Sequence, residues 1–280
     1  MRRRAWVAAV ASFAACPACE AGKPHGVDAA APVAAPRATP SVAASSAPAR
    51  TAETADPTRA STATAGAASV TAGVAGPAAG APACRVALFG DSLTDAHSVG
   101  GGYVRYLERH CPESHFENFA KGGAMVNQMR AHFAETLANA PRGAFSHVVV
   151  FGGVNDLYSD ETAGRTPRKI ETDLGALYAG ARALGARVVA ITVAPWGGFT
   201  RYFTPHRADT TREVNAWILG QASEGAVDVA VDAHALLRCG DPDRLCERFE
   251  RARSDGLHFG AAGHEALGEA LYAAEFHRCP

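Results

Sequence analysis

The chain has 280 residues, of which 48% are hydrophobic, and its formal net charge at pH 7 is -1. This length and composition fit one soluble domain with an additional segment. The near-neutral charge gives no reason to expect a nucleic acid or an acidic membrane surface as a partner, so neither is predicted.

The N-terminus has the features of an export signal over residues 1–15. Arg2–Arg4 form a positively charged start, and Ala5–Ala15 is an apolar stretch too short to span a bilayer. Two alanines directly precede Cys16, which resembles a bacterial lipobox, where the signal is cleaved before a cysteine that receives lipid. We expect an exported protein of the cell envelope, held at the membrane by lipid on Cys16. Plain secretion after cleavage nearby is the alternative.

Residues 16–83 are predicted to be a disordered linker. From position 20 to position 83 the chain contains no Leu, Ile, Met, Phe, Tyr or Trp. Such a segment cannot bury enough apolar surface to offset the entropy lost on ordering. Its recurring prolines also prevent a long helix, in spite of the many alanines. The linker would connect the lipid anchor to a domain over residues 84–280.

The domain alternates short apolar runs with helical patterns. Strands are predicted at 85–89, 115–119, 147–151, 187–193 and 227–231. Helices are predicted at 103–108, 124–137, 168–184, 207–221 and 261–276. The run at 147–151 is apolar throughout, as expected of a strand buried on both faces. Strict alternation predicts an α/β fold with three α/β/α layers around a five-stranded parallel sheet.

Four short motifs follow one another along this domain. Gly90–Leu93 (Gly-Asp-Ser-Leu) ends the first strand, and Gly123 lies in a turn after the second. Gly153–Asp156 (Gly-Val-Asn-Asp) ends the third, and Asp255–His258 (Asp-Gly-Leu-His) precedes the last helix. A serine, a glycine N–H group, an amide side chain and an Asp-x-x-His pair are the parts needed for acyl transfer by a serine nucleophile.

The order and identity of these residues resemble the SGNH (GDSL) hydrolase family, whose name states the four block residues. They are Ser92, Gly123, Asn155 and His258 here. The resemblance implies a flavodoxin-like sheet and hydrolysis of esters of lipids, small acyl groups or acetylated carbohydrates. It implies no cofactor and no metal. It does not fix the oligomeric state, and we assume a monomer.

Each residue has an expected role in this chemistry. His258 would take the proton of Ser92 and later protonate the leaving alkoxide, while Asp255 would orient the imidazole. The N–H groups of Ser92 and Gly123 and the amide of Asn155 would form the oxyanion hole. At this block the family often has Ser before the glycine, whereas Lys121-Gly122 stands here. Gly122 therefore remains an alternative donor.

Two other functions remain open at this stage. The acyl group could be transferred to an acceptor other than water. Alternatively, the chain could be a catalytically silent lipoprotein that binds cell-envelope glycan through the same cleft. The complete set of Ser92, Asp255 and His258 favours the enzyme, because a binding module has no need to keep it.

Several further residues are weaker candidates for function. His97 fits a solvated loop, and His264 on the last helix is a rival to His258 as the base. Four aromatic residues after the fourth strand would line an acyl or sugar pocket or simply pack against the body: Trp196, Phe199, Tyr202 and Phe203. Three basic residues fit a solvated face better than an anion site: Arg201, His206 and Arg207.

The seven cysteines also fit an exported protein. Cys239 and Cys246 bracket a turn-rich loop, and we predict a disulfide there, with two free thiols as the alternative. Cys84, Cys111 and Cys279 are expected at the edge of the sheet opposite the active site. A second bridge is predicted among these three, but the pairing, including any role of Cys19, stays open. No Cys/His spacing is typical of a zinc site.

Overall fold

The computed structural model describes residues 82–137 and 139–280. The predicted export signal, the lipidation site at Cys16 and the linker up to residue 81 lie outside the described residues. The domain from residue 84 onward can be compared with the sequence predictions.

A five-stranded sheet forms the centre of the domain. Its strands are β1 (Arg85–Gly90), β2 (His115–Asn118), β3 (His147–Phe151), β4 (Arg187–Ile191) and β5 (Val229–Val231). All neighbours are parallel, in the order β2-β1-β3-β4-β5. The chain therefore leaves β1 toward one edge and crosses back over it to β3. The predicted parallel sheet and its flavodoxin-like order are confirmed.

Eight α-helices, two short 3-10 helices (Glu247–Phe249 and Phe276–Arg278) and one hairpin complete the described part of the chain. The helices are α1 (Gly102–His110), α2 (Val126–Leu137), α3 (Val154–Tyr158), α4 (Asp160–Ala163), α5 (Pro167–Ala183), α6 (Pro205–Ser223), α7 (Ala233–Leu237) and α8 (Ala261–Ala274). The hairpin pairs β6 (Arg238–Cys239) with β7 (Asp241–Leu245). The sequence did not predict α3, α4, α7 or the hairpin, because each is too short to show a period. In residues 82–137 and 139–280, no helix combines the length and apolar composition that a membrane crossing requires.

The two longest helices begin in the same way. Thr166 before α5 and Thr204 before α6 each accept a hydrogen bond from a backbone N–H of the first turn. Proline follows both threonines, where its missing N–H costs nothing and its fixed φ suits a helix. The Thr-Pro pairs thus set where both helices start.

Helices cover both faces of the sheet. On one face, α2, α5 and α6 pack over apolar side chains that include Val148 and Val150 of β3. On the other face, α1 and α8 pack against each other over side chains that include Val149 and Phe151. Alternate residues of β3 therefore enter different cores, which explains the continuous apolar run. The predicted α/β/α layering is confirmed.

Two disulfides are present among the described residues. Cys84, just before β1, is bonded to Cys279 near the C-terminus, at the sheet edge opposite the carboxyl ends of the strands. This supplies the pairing that the sequence left open. Cys239 is bonded to Cys246 across the β6–β7 hairpin, as predicted. Cys111 is a buried free thiol, and burial raises its pKa to about 11.

Candidate active site

Three of the motif residues follow three adjacent strands. Ser92 comes after β1, Gly123 after β2, and Asn155 after β3. Because β2, β1 and β3 are neighbours and run parallel, their carboxyl ends meet at one edge of the sheet. Ligand groups in such sheets gather at this edge, beside the strand where the order reverses. The topology therefore brings Ser92 and Asn155 together, although they lie 63 positions apart in the sequence.

Backbone hydrogen bonds fix the turn that carries Ser92. The carbonyl of Asp91 accepts the N–H groups of Thr94 and Asp95, at 3.0 and 2.9 Å. Its carboxylate Oδ1 accepts the N–H of Leu93 at 3.0 Å. Burial raises the pKa of Asp91 to about 7, and the nearby Asp156 acts in the same direction. Asp91 thus braces the turn that carries Ser92.

Ser92, His258 and Asp255 form a hydrogen-bonded chain. Ser92 Oγ lies 2.8 Å from His258 Nε2, and His258 Nδ1 lies 2.7 Å from Asp255 Oδ2. Partial burial raises the pKa of Asp255, but hydrogen bonds from the backbone and ring of His258 outweigh it, so the pKa falls below its usual value. An ionised Asp255 keeps the imidazole proton on Nδ1. Nε2 is then free to accept the Ser92 hydroxyl proton.

Gly122 and Gly123 differ in the use of their N–H groups. Gly122 donates to Asp95 Oδ2 at 3.0 Å, whereas the N–H of Gly123 meets no acceptor within the described part of the chain. Gly123 has a φ of 75°, a left-handed conformation that favours glycine. Asn155 Nδ2 donates to the carbonyl of Ala124, the residue after Gly123, at 3.0 Å. Asn155 therefore lies against the segment that carries Gly123.

Asp156 holds the other end of that segment. Its Oδ2 accepts the N–H of Val126, the first residue of α2, at 2.9 Å. Arg165 donates to Asp156 Oδ1 at 2.6 Å and to Asp173 Oδ2 of α5 at 2.7 Å. Burial lowers the pKa of Arg165, but the two carboxylates raise it more, so the guanidinium stays charged. This buried group connects α2, α3 and α5 behind Gly123.

The Asp255–His258 loop rests on a turn that is itself held by the β6–β7 hairpin. Gly256 has a φ of 75°, and a Cβ there would lie 1.9 Å from the carbonyl carbon of Gly198. The N–H of Gly197 donates to the carbonyl of Asp243 in β7 at 2.6 Å. The Cys239–Cys246 bridge closes this hairpin. A continuous set of contacts therefore leads from the disulfide to the loop.

A cleft of about 390 Å³ opens over Ser92. Tyr158, Phe199 and Leu257 form apolar parts of its wall, and Arg251 adds a positive charge. The rings of Tyr158 and Phe199 meet edge to face, with centroids 6.1 Å apart. The sequence reasoning missed Tyr158 and Arg251. Tyr158 could have been found from its place three residues after Asn155, one helical turn further on.

The chain matches the model of the GDSL-like lipase/acylhydrolase family over residues 88–266, more than half of its length. It belongs to this family. The protein is accordingly a carboxylic ester hydrolase, as the sequence predicted. No curated protein matches the chain.

Solved structures share the fold of this hydrolase. A lipolytic protein of the G-D-S-L family from Veillonella parvula is 18% identical, covers 69% of this chain and 98% of its own, and gives a TM-score of 0.56. The lipase/acylhydrolase from Enterococcus faecalis is 22% identical, with 67% and 93% covered and a TM-score of 0.52. An acetyl xylan esterase is 18% identical, with 68% and 98% covered and a TM-score of 0.54.

Of the aromatic candidates, Phe199 is the one that lines the cleft of the hydrolase. Trp196 is fully buried, donates from Nε1 to Thr211 Oγ1 at 3.0 Å, and meets the ring of Phe203 edge to face. Tyr202 packs on Phe199, with ring centroids 4.8 Å apart. Trp196 therefore packs against the body of the domain, which is one of the two roles that the sequence left open for these aromatic residues.

The other candidates lie away from the Ser92 hydroxyl. The His97 side chain is almost fully exposed. His264 is buried on α8 and has no hydrogen bond to Ser92. Arg207 is paired with Asp160. Within the described residues, one cluster has the proximity of metal ligands, namely Cys84, His147 and Cys279, and its two sulfurs are joined in the disulfide.

Proposed function

We propose that this GDSL hydrolase cleaves carboxylic esters through an acyl-enzyme on Ser92. The observation that carries the proposal is the hydrogen-bonded chain from Ser92 Oγ to His258 and on to Asp255, at 2.8 and 2.7 Å. These distances and this order of groups match the needs of a serine nucleophile that is activated by an oriented base.

The first step is attack of Ser92 Oγ on the ester carbonyl carbon. His258 Nε2 takes the hydroxyl proton, and Asp255 stabilises the imidazolium that forms. The oxyanion of the tetrahedral intermediate accepts hydrogen bonds from the N–H groups of Ser92 and Gly123 and from the amide of Asn155. A single such donor lowers the barrier by about 2.7–4 kcal/mol. Gly122 is the poorer candidate for donor, because its N–H is already bonded to Asp95.

Collapse of the intermediate breaks the bond to the alcohol. His258 gives its proton to the leaving alkoxide, and the acyl group remains on Ser92 Oγ. Water then attacks the acyl-enzyme with His258 as the base, and a second collapse releases the acid and restores the serine. The same residue thus acts in turn as base and acid.

Small acyl groups, including acetyl groups on carbohydrates, are the substrates that we favour. A cleft of about 390 Å³ is at the small end of ligand sites, and its Tyr158 and Phe199 walls suit a short acyl chain or a sugar face. The structural likeness to an acetyl xylan esterase agrees with this choice. Lipid esters are the alternative class, to be separated by chain length.

The test is labelling of the full chain with a serine-directed fluorophosphonate, followed by peptide mapping, together with hydrolysis of 4-nitrophenyl esters of two to twelve carbons. We expect the label on Ser92 and the highest kcat/KM for acetate. Analysis of the products for free acid separates hydrolysis from acyl transfer. A label on another residue, or turnover that persists after labelling, contradicts the mechanism.

We also propose that the hydrolase is exported and anchored through lipid on Cys16. The alanine pair before Cys16 and the Arg-rich start support this. The two disulfides of the domain suit an oxidising compartment. Mass spectrometry of the mature N-terminus should find a diacylated Cys16, and Cys16→Ser should release the protein from the membrane fraction. An unmodified N-terminus elsewhere refutes the anchor.

A further inference from the structure

A second cavity, of about 270 Å³, adjoins the catalytic cleft. Val99 and Arg251 line both. Its lining residues include three arginines, Arg105, Arg109 and Arg251, and one acidic residue, Glu265. We call it the arginine cavity. Its composition indicates a ligand of negative charge.

The positive charge of the arginine cavity is only partly balanced. Glu265 is hydrogen-bonded to Arg109 at 3.3 Å, and both side chains are exposed. Arg251 lies 3.9 Å from Asp255, a carboxylate whose oxygens already accept hydrogen bonds from His258. Arg105 forms no ion pair with any residue of the described chain. An excess of cationic donors therefore faces the cavity.

The N-terminus of α8 adds backbone donors to the same wall. Gly260 and Ala261 line the cavity, and no side chain in the described part of the protein caps the N-terminus of this helix of 14 residues. The first N–H groups of a helix have no partner within it, and the helix dipole makes this end positive. The start of α8 thus reinforces the charge of the arginines.

His264 is a buried polar residue of the same wall. It lines the arginine cavity, is 5% exposed, and its Nδ1 is closed off from the surface, with no hydrogen-bond partner among the described residues. Burial lowers the pKa of His264 to about 4, with a hydrogen bond to the backbone of Val99 acting in the opposite direction. The ring is therefore neutral at pH 7. A neutral imidazole adds no charge to the cavity, so its positive charge comes from the arginines and the start of α8.

The position of the cavity shows which part of an ester would reach it. Arg251 connects it to the cleft beside Asp255 and His258. Because His258 must protonate the leaving alkoxide, the alcohol part of the substrate lies on this side of the cleft.

We propose that the arginine cavity binds a carboxylate or phosphate on the alcohol part of the ester. The preferred substrates are then acyl esters of anionic alcohols, such as acetylated acidic sugars. The proposal rests on the function proposed above and names its substrate class.

The test compares three acetylated sugars that differ only at C6. They are an acetylated methyl glucuronoside, an acetylated methyl glucoside 6-phosphate and the neutral acetylated methyl glucoside. We expect kcat/KM for at least one of the anionic sugars to exceed that for the glucoside by about tenfold, the usual worth of a hydrogen bond to a charged group. The anionic sugar with the higher kcat/KM shows whether the cavity prefers a carboxylate or a phosphate. Hydrolysis of 4-nitrophenyl acetate reports the proposed function separately.

Arg105→Gln is the decisive variant. It should reduce the anionic-to-neutral ratio of kcat/KM about tenfold, whereas Arg168→Gln, which removes an exposed arginine on α5, should leave the ratio unchanged. Arg109→Gln is a second variant of the same wall. Taking a ratio removes any general change in turnover.

Calorimetric titration with methyl glucuronoside, methyl glucoside 6-phosphate and methyl glucoside measures binding to the arginine cavity without turnover. We expect at least one anionic sugar to bind more tightly than the glucoside, and Arg105→Gln to remove the difference. Equal kcat/KM and equal affinity for the three sugars overturn the proposal. So does a preference that survives in both Arg105→Gln and Arg109→Gln. If the wild-type protein binds an anionic sugar selectively but does not hydrolyse 4-nitrophenyl acetate, the result refutes the proposed function and leaves the anion site standing.

Discussion

Ser92 follows directly on a central strand of the sheet, whereas Asp255 and His258 lie in a loop that contains no helix or strand. The turn after β1 is anchored by the buried Asp91, and β1 has neighbours on both sides. The Asp255 side chain is 39% exposed, and its loop rests on Gly198 and, through Gly197, on the hairpin. The nucleophile is therefore held by the sheet, whereas the base is held by the buried side chains on either side of it, Leu257 and Phe259, and by the contacts of its loop with Gly198 and the hairpin.

This difference implies that damage to the two regions has different consequences. A change in the sheet should lower the stability of the whole domain. A change in the hairpin should displace His258 while the sheet remains folded, because loops open locally at lower free energy than cores. The following predictions run from the largest expected effect on turnover to the smallest.

Ser92→Ala should reduce kcat by about 10⁴-fold or more and abolish phosphonate labelling, because it removes the nucleophile. His258→Ala should have a comparable effect, since the two groups act as a unit. The melting temperature serves as the control and should stay close to that of the wild type. Substantial residual turnover in a folded Ser92→Ala protein contradicts the mechanism.

Asn155→Ala should lower kcat by about 10²–10³-fold with a smaller change in KM, because the amide acts mainly on the oxyanion of the transition state. Steady-state kinetics on 4-nitrophenyl acetate measure both. The amide also donates to Ala124, so part of the loss would come from displacement of Gly123. An unchanged kcat, with chemistry shown to be rate-limiting, removes Asn155 from the site.

The two disulfides allow a matched comparison of the regions. Cys239→Ser/Cys246→Ser should lose activity at temperatures below global unfolding, by up to about 10²-fold, because a displaced base is costly. Cys84→Ser/Cys279→Ser should keep its activity until it unfolds, but at a lower temperature. The chain-entropy model assigns about 2–3 kcal/mol to closing the short hairpin loop and about 5 kcal/mol to the long one.

Parallel measurement of activity and near-ultraviolet circular dichroism against temperature would separate the two losses. If activity and structure melt together in the Cys239→Ser/Cys246→Ser protein, the hairpin does not support the catalytic loop. Peptide mapping without reduction should show both linkages in the wild type.

Glu275→Gln should lower the stability at neutral pH and make it less sensitive to acid, while leaving kcat of the folded protein at pH 7 unchanged. Glu275 is 2% exposed and accepts hydrogen bonds from His147 and Arg187. Burial raises the pKa of Glu275, but these bonds outweigh it and lower the pKa to about 2. A depressed pKa contributes stability above the unfolded value of about 4.3, which is lost as the pH falls toward 2.

The shift corresponds to roughly 3 kcal/mol of the free energy of unfolding. Urea unfolding between pH 5 and pH 2 should show this loss in the wild type and a shallower slope in Glu275→Gln. Identical slopes would show that Glu275 is not ionised in its buried pair.

Much of the fold was predictable because its signals are local. The apolar run of β3 and the periodic patterns of α5 and α6 identify their elements within a few residues. The observed ends of helices differ from the predicted ones where a capping residue sets them. Thr204 caps α6, so this helix begins at Pro205, two residues before its predicted start. The site motifs were also readable, since each follows the end of a strand or precedes a helix.

The sequence by itself determined the order of the five sheet strands and of the longer helices, the chemical type of the site residues and the short Cys239–Cys246 bridge, because each depends on neighbours along the chain. Only the tertiary structure decided that Cys84 pairs with Cys279 and that Gly122 donates to Asp95. It also decided that three arginines and the start of α8 meet in one cavity. These facts depend on how segments pack across the sheet, and packing partners far apart in sequence leave no periodic or local signal.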